Sequence, residues 1–150
     1  TKINLKAIPN RSIVFVSIGE IDCRIDEGII QAAQKTGKVV SDIVSATVDG
    51  YVTWFLTENE LNQHKYYFFN IPAPAYDAEL TESMNNKVAQ VVTLFNSQLS
   101  RRLSSSSNKV IDVYTFTDNK RGFSNGQYQC DKRHLDYRIL TSIETQLKLP

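Results

Sequence analysis

SIVFVSIGEIDCR, residues 12–24, is an apolar run that ends abruptly in polar and charged side chains. Its β-branched and aromatic residues 13–16 predict a strand buried on both faces, which is typical of a parallel sheet. Gly19 marks the point where the chain leaves the strand. Because ligands of open α/β sheets bind just beyond the carboxyl ends of the strands, the residues after Gly19 are the first candidates for a functional site.

Length and composition indicate an ordinary globular domain. Of the 150 residues, 41% are hydrophobic and 22% are charged, and a chain of this size buries roughly two-thirds of its surface. The 17 basic and 16 acidic side chains nearly cancel, so charge gives no reason to predict a nucleic acid or membrane partner. We find neither a signal segment nor an apolar run long enough to cross a bilayer. We therefore expect a soluble protein; its compartment stays unknown, with the cytoplasm favoured.

The rest of the chain alternates helical and strand patterns. We predict a helix ended by Gly37, a helix from a Ser41 cap to about Thr57, a strand over Lys65–Ile71, a helix capped by Thr81 or Ser83, a strand over Val110–Phe116, and a helix from Leu135 that stops at Pro150. This alternation is typical of a parallel sheet covered by helices. Right-handed crossovers would bring the three strand ends to one edge.

A second group of reactive side chains, DKRHL at residues 131–135, comes just before the last predicted helix. A carboxylate three residues before a histidine can bond one ring nitrogen and fix the tautomer, which leaves the other nitrogen as a base. Asp131 could equally cap the helix, with His134 as a residue of the helix entry. The pattern alone leaves both interpretations open.

Taken together, the two groups resemble the SGNH, or GDSL-type, hydrolase family. That family has a G-x-N-D segment after a central strand and a D-x-x-H segment before the C-terminal helix, and residues 19–22 and 131–134 are similar in order and spacing. Ile71-Pro72-Ala73-Pro74 is similar to the proline-rich exit of the strand between them. The resemblance implies an α/β, flavodoxin-like fold of three layers, with this chain as its later portion and without its first strands.

The resemblance also implies roles for individual residues. Asp131 and His134 would be the acid and base of a Ser-His-Asp triad, and Gly19 would donate its backbone N–H to the oxyanion. Ile21 stands at the family's asparagine position and cannot donate. The family's G-D-S segment with its nucleophilic serine has no counterpart here. Since the chain begins at Thr1 rather than Met, we expect residues 1–150 to be the C-terminal portion of a larger domain whose preceding part carries that serine.

The activity that the resemblance implies is ester hydrolysis, with O-acyl groups of carbohydrates as the substrate class. We predict a pocket lined by Glu20, Asp22, Arg24 and Tyr76. A first alternative is a non-catalytic module that holds a sugar or an anion in this pocket. A second is a partner-binding domain, because a three-stranded sheet leaves an apolar edge free for another copy or for upstream sequence.

The cysteines predict no further chemistry. Cys23 and Cys130 are too few for a disulfide framework or a zinc site, so we predict no metal and no other cofactor. We interpret both as reduced and mostly buried thiols. A nucleophilic Cys23, activated by Arg24 beside it, is a less favoured alternative.

Overall fold

A parallel sheet of three strands lies at the centre of the structure, a computed structural model that describes residues 5–147. The strands are β1 (Ile13–Ser17), β2 (Lys65–Phe69) and β3 (Lys109–Ile111), and β2 lies between the other two. In the register of the sheet, Tyr67 pairs with Phe15 on one side and with Lys109 on the other. The three strands therefore end at one edge of the sheet, as the alternating pattern predicts.

Helices follow and connect the strands. They are α1 (Gly28–Thr36), α2 (Val40–Glu58), α3 (Glu82–Leu103), α4 (Tyr114–Thr117) and α5 (Ile139–Leu147), with short 3-10 turns at Leu5–Ala7 and Ile21–Cys23. Among the described residues, no helix is long and apolar enough to cross a membrane.

Both faces of β2 are buried, each in its own hydrophobic core. Tyr66 and Phe68 point into a core shared with α1, α2 and α3. Tyr67 points to the opposite face, into a smaller core that includes Ile139 and Ile143 of α5. The fold is thus α/β, with a parallel sheet between flanking helices, and its layout is consistent with a flavodoxin-like fold.

The prediction that β1 is buried on both faces is wrong. Val16 packs into the larger core, but Ile13 is 38% exposed and Phe15 is 46% exposed. β1 is an edge strand, and α5 packs on β3 at the far side of the sheet. An apolar run predicts a strand, but it does not tell whether a helix covers each of its faces.

The third strand is shorter than predicted because side chains bind the backbone that follows it. The side-chain Oδ1 of Asn70 accepts hydrogen bonds from the backbone N–H of Val113 at 2.7 Å and of Tyr114 at 2.9 Å. Asp112 accepts from the N–H of Thr115 at 3.1 Å. The chain therefore turns into α4 where the sequence pattern predicts a continuing strand.

Two of the predicted helix boundaries are confirmed. Gly37 ends α1 in the left-handed conformation, with φ of 68°. Thr81 caps α3, and its Oγ1 accepts the N–H of Met84 at 3.2 Å.

Two other helix boundaries differ from the prediction. α2 begins at Val40, and its N-cap is Val39 without a side-chain bond, so Ser41 is not the cap. α5 begins at Ile139 rather than at Leu135, because Leu135 is held in an isolated bridge to Gln129. The predicted stop at Pro150 lies outside the described residues.

Candidate functional site

A hollow with a volume of about 140 Å³ opens where the strands end. Each strand contributes the segment that follows it: the turn with Glu20 and Arg24 after β1, residues 71–75 after β2, and Lys132 and Arg133 from the long connection after β3. Val88 and Val92 of α3 also line the hollow. Glu20 and Arg24 from the first group and Lys132 and Arg133 from the second therefore meet at one hollow.

Glu20 and Arg24 form a bidentate ion pair on its wall. Nε and Nη2 of Arg24 donate to the two carboxylate oxygens of Glu20 at 3.0 and 2.7 Å, and Nη1 donates to Glu27 at 3.2 Å. The hydrogen bond to Glu20 raises the pKa of Arg24 above its ordinary value. Two parallel bonds fix the plane of a guanidinium group, so Arg24 is held in one orientation.

Asp22 does not line the hollow. The Tyr51 hydroxyl donates to its Oδ2 at 2.8 Å, which ties the turn after β1 to α2. Burial, together with this hydrogen bond, raises the pKa of Tyr51 to about 12. Asp22 is thus placed as a structural anchor of the turn.

The backbone at Gly19 lies directly against Phe95 of α3. Its φ is 92°, a backbone angle that residues other than glycine rarely adopt. The ring of Phe95 occupies the space in which a Cβ atom of residue 19 would lie. Gly19 therefore lets the turn after β1 pack directly on α3, and its carbonyl accepts the N–H of Cys23 at 3.2 Å.

Asp131 and His134 form a hydrogen-bonded pair. Nδ1 of His134 lies 2.7 Å from Oδ2 of Asp131, while Oδ1 accepts the N–H groups of Arg133 and His134, each at 2.7 Å. The bond to His134, followed by the two backbone bonds, lowers the pKa of Asp131 to about 2. Among the described residues, Nε2 of His134 has no hydrogen-bond partner.

The segment that carries this pair is a closed loop ahead of α5. The N–H of Cys130 donates to the carbonyl of His134 at 3.1 Å. Asp131 is therefore not the cap of α5, which begins at Ile139. Across the hollow, Nζ of Lys132 binds Oδ1 of Asp77 at 2.9 Å, and this ion pair ties the loop to the segment after β2.

Several predicted site residues lie beside the hollow rather than on its wall. Gly19, Asp22, Tyr76, Asp131 and His134 are not among the described residues that line it. The side chain of His134 is 73% exposed. The ring of Tyr76 packs edge-on against Phe123, with 5.4 Å between centroids.

Both cysteines are free thiols, but they differ in burial: Cys23 is buried and Cys130 is exposed. Cys23 is buried next to Glu20 and Asp22, and burial raises the pKa of its thiol far above the ordinary value. A thiol that stays protonated is a poor nucleophile, so the environment of Cys23 opposes the nucleophilic interpretation. Cys130 is exposed, contrary to the prediction of two mostly buried thiols.

Two asparagines that the sequence analysis did not single out shape the hollow. Asn85 exchanges hydrogen bonds with the backbone of Asp77, both at 2.9 Å, and Asn96 does the same with Ile71, both at 2.8 Å. Both project from the buried face of α3, where Ala89 and Val92 also lie. A polar residue recurring at helical spacing within an apolar stripe is the signal that could have identified them.

The described residues contain no group of three or more histidine, cysteine or acidic side chains arranged to hold a metal ion. No protein-family model matches the chain, and no curated protein matches it significantly.

Proposed function

We propose that this chain is the base-bearing part of a serine ester hydrolase of the SGNH type. The observation that supports this most directly is the 2.7 Å hydrogen bond between Asp131 and Nδ1 of His134. In such a pair the carboxylate holds the proton on Nδ1 and stabilises the imidazolium that forms during catalysis. Nε2 is then left to accept a proton from a hydroxyl group.

The nucleophile of this reaction is a serine hydroxyl from outside residues 1–150. As its oxygen attacks the ester carbonyl, its proton passes to Nε2 of His134, and negative charge develops on the carbonyl oxygen. The backbone N–H of Gly19 is the proposed donor to that oxygen. Ile21 leaves the second position of the family's oxyanion hole without a side-chain donor, and losing one donor slows such enzymes by about 100- to 1000-fold. We therefore expect a slow hydrolase.

The shape and lining of the hollow support a small acyl group on a polar carrier as the substrate. Its volume of about 140 Å³ suits a short acyl chain. Ile71 and Val92 give it apolar walls, while Arg24, Lys132 and Arg133 offer donors to hydroxyl groups. O-acylated carbohydrates combine these two features.

The test is the hydrolysis of p-nitrophenyl acetate and of an O-acetylated sugar by the complete natural protein. His134→Ala should lower kcat by about 1000-fold or more, because the general base is lost, and Asp131→Asn, which leaves the imidazole in the wrong tautomer, should lower it by about 100-fold or more but by no more than His134→Ala does. Gln127→Ala, an exposed change in the same connection, is the matched control and should leave the rate unchanged. Equal rates for the wild-type protein and His134→Ala would refute the proposal.

A second candidate function is a binding module that uses the hollow without chemistry. Two observations favour it: Ile21 is exposed and offers no donor, and His134 does not line the hollow. In this case the O-acetylated sugar binds without being hydrolysed, and His134→Ala leaves its dissociation constant unchanged. Calorimetry alongside the hydrolysis assay separates the two functions.

A further inference from the structure

The hydrogen bonds around Asp131 and His134 are closed within one loop. Asp131 accepts from the ring and the N–H of His134 and from the N–H of Arg133. The N–H and the thiol of Cys130 both donate to the carbonyl of His134, at 3.1 and 3.4 Å. These bonds set the geometry of the pair, but they do not determine where residues 130–134 lie as a unit relative to the hollow.

The ends of this loop are secured by packing, because Tyr128 and Leu135 both lie against the smaller core. The tip of the loop is attached differently. Within residues 5–147, the hydrogen bonds and ion pairs that join residues 130–134 to the rest of the fold all come from Nζ of Lys132. Nζ lies 2.9 Å from Oδ1 of Asp77 and 3.8 Å from Oε2 of Glu79.

Asp77 is a well-fixed partner for this lysine. Asn85 of α3 is 2% exposed, and it accepts the N–H of Asp77 and donates to its carbonyl, each at 2.9 Å. The N–H of Glu79 donates to Oδ1 of Asp77 at 3.1 Å, which holds the carboxylate. The hydrogen bond from Lys132 lowers the pKa of Asp77 and so favours its charged form. The anchor is therefore part of the rigid α3 side of the hollow.

We propose that Lys132 is a positioning residue, which holds Nε2 of His134 at the rim of the hollow through its ion pair with Asp77. Because the Asp131–His134 pair is closed within the loop, it moves with the lysine. A displacement of about 1 Å can lower the rate of an enzyme by about 100-fold, so an anchor outside the pair is able to control the reaction. This kinetic consequence rests on the proposed hydrolase function, whereas the anchoring of the loop does not.

The kinetics of the complete natural protein with p-nitrophenyl acetate, a neutral substrate, test the role of Lys132. Lys132→Met should lower kcat by about two- to fivefold with little change in KM, because an exposed ion pair shifts an equilibrium by at most about fivefold. Lys132→Arg keeps the charge and should retain most of the wild-type kcat. Lys87→Met removes a charge from an exposed lysine of α3 and should leave kcat unchanged.

A double-mutant cycle separates the ion pair from a direct contact between Lys132 and the substrate. Asp77→Asn removes the charge at the other end, so Lys132→Met should have almost no further effect on kcat in that background. Salt raised from about 0.1 to 1 M shortens the Debye length from about 10 to 3 Å and should lower the kcat of the wild type but not of Lys132→Met. Effects that multiply in the double mutant, or equal kcat for the wild type and Lys132→Met, would overturn the proposal.

NMR relaxation of the amide groups of residues 131–134 supplies a measurement that needs no activity. In Lys132→Met these groups should show lower order parameters or more exchange broadening than in the wild type, and in Lys87→Met they should not. A loosened loop in a protein whose wild type hydrolyses nothing would support the anchoring and contradict the proposed function. Hydrolysis that depends on His134, with a loop equally rigid in the wild type and Lys132→Met, would overturn the anchoring alone.

Discussion

At the scale of single residues, short-range hydrogen bonds fix the charge state of the candidate acid. Asp131 lies on the surface, yet its carboxylate accepts three hydrogen bonds, from the ring of His134 and from the N–H groups of residues 133 and 134. Hydrogen bonds to the charged form favour that form. The pKa of Asp131 therefore falls from 3.8 to about 2.

We expect a carboxyl-carbon NMR titration of Asp131 to give a pKa of about 2. Because the pKa is lowered in the folded state, the stabilisation from this group is complete above about pH 4 and is lost as the pH falls through about 2. His134→Phe should move the pKa of Asp131 back towards 3.8, because it removes the hydrogen bond from the His134 ring, which lowers that pKa most.

The control for this titration is Arg133→Gln, because residue 133 acts on Asp131 through its backbone N–H. That variant should leave the pKa nearly unchanged. A wild-type pKa near 4, or a pKa that does not respond to His134→Phe, would mean that the hydrogen-bonded pair does not exist in solution.

Sequence spacing predicts side-chain contacts best when the two residues are only a few positions apart. Asp131 and His134 are three residues apart and Glu20 and Arg24 are four apart, so a short stretch of backbone joins the two side chains of each pair. The bond from Tyr51 to Asp22 joins residues 29 apart. No spacing rule covers such a pair, and the prediction that Asp22 lines the pocket could not take it into account.

At the scale of elements, the turn after β1 depends on the absence of a side chain at Gly19. This turn carries Glu20 and Arg24 into the hollow, and it lies against Phe95 of α3. Close packing leaves no room for one more carbon atom there. The apolar run before Gly19 predicts the end of the strand, but nothing in the sequence predicts the contact with Phe95.

Gly19→Ala should lower the free energy of unfolding by about 2–5 kcal/mol, because a strained positive φ and overpacking each cost about 1–3 kcal/mol. Gly50→Ala is the matched control, since residue 50 lies within α2 and a Cβ there meets open space. Gly50→Ala should raise the free energy of unfolding by about 0.5–1 kcal/mol. Urea denaturation measures both, and a Gly19→Ala protein as stable as the wild type would contradict the packing described for the turn.

At the scale of the whole molecule, Asn70 joins the ends of β2 and β3 and so connects the two hydrophobic cores. It is buried, it donates to Asp112 at 3.0 Å, and it accepts from two backbone N–H groups of the segment leading into α4. A single side chain thereby holds both neighbouring strand ends in place.

Asn70→Ala should lower the free energy of unfolding by about 2–5 kcal/mol, because it leaves two backbone donors without an acceptor at about 1–3 kcal/mol each. Asn86→Ala, at an exposed position of α3, should stay within about 0.5 kcal/mol of the wild type. Urea denaturation measures the stability, and hydrogen exchange at Val113 and Tyr114 should accelerate in Asn70→Ala alone. Unchanged hydrogen exchange at Val113 and Tyr114 in Asn70→Ala would contradict the role of Asn70 in holding the strand ends.

The sequence by itself determined the alternation of strands and helices and the placing of the segments after the strands at one edge of a parallel sheet, because periodicity and crossover handedness are local or general properties. Only the tertiary structure decided which face of β1 is bare, how short β3 is, and which predicted site residues lie off the wall of the hollow, namely Gly19, Asp22, Tyr76, Asp131 and His134. Those features depend on contacts between residues far apart in the chain, such as Asn70 with Val113 and Tyr51 with Asp22. The pattern of neighbouring residues contains no information about such contacts.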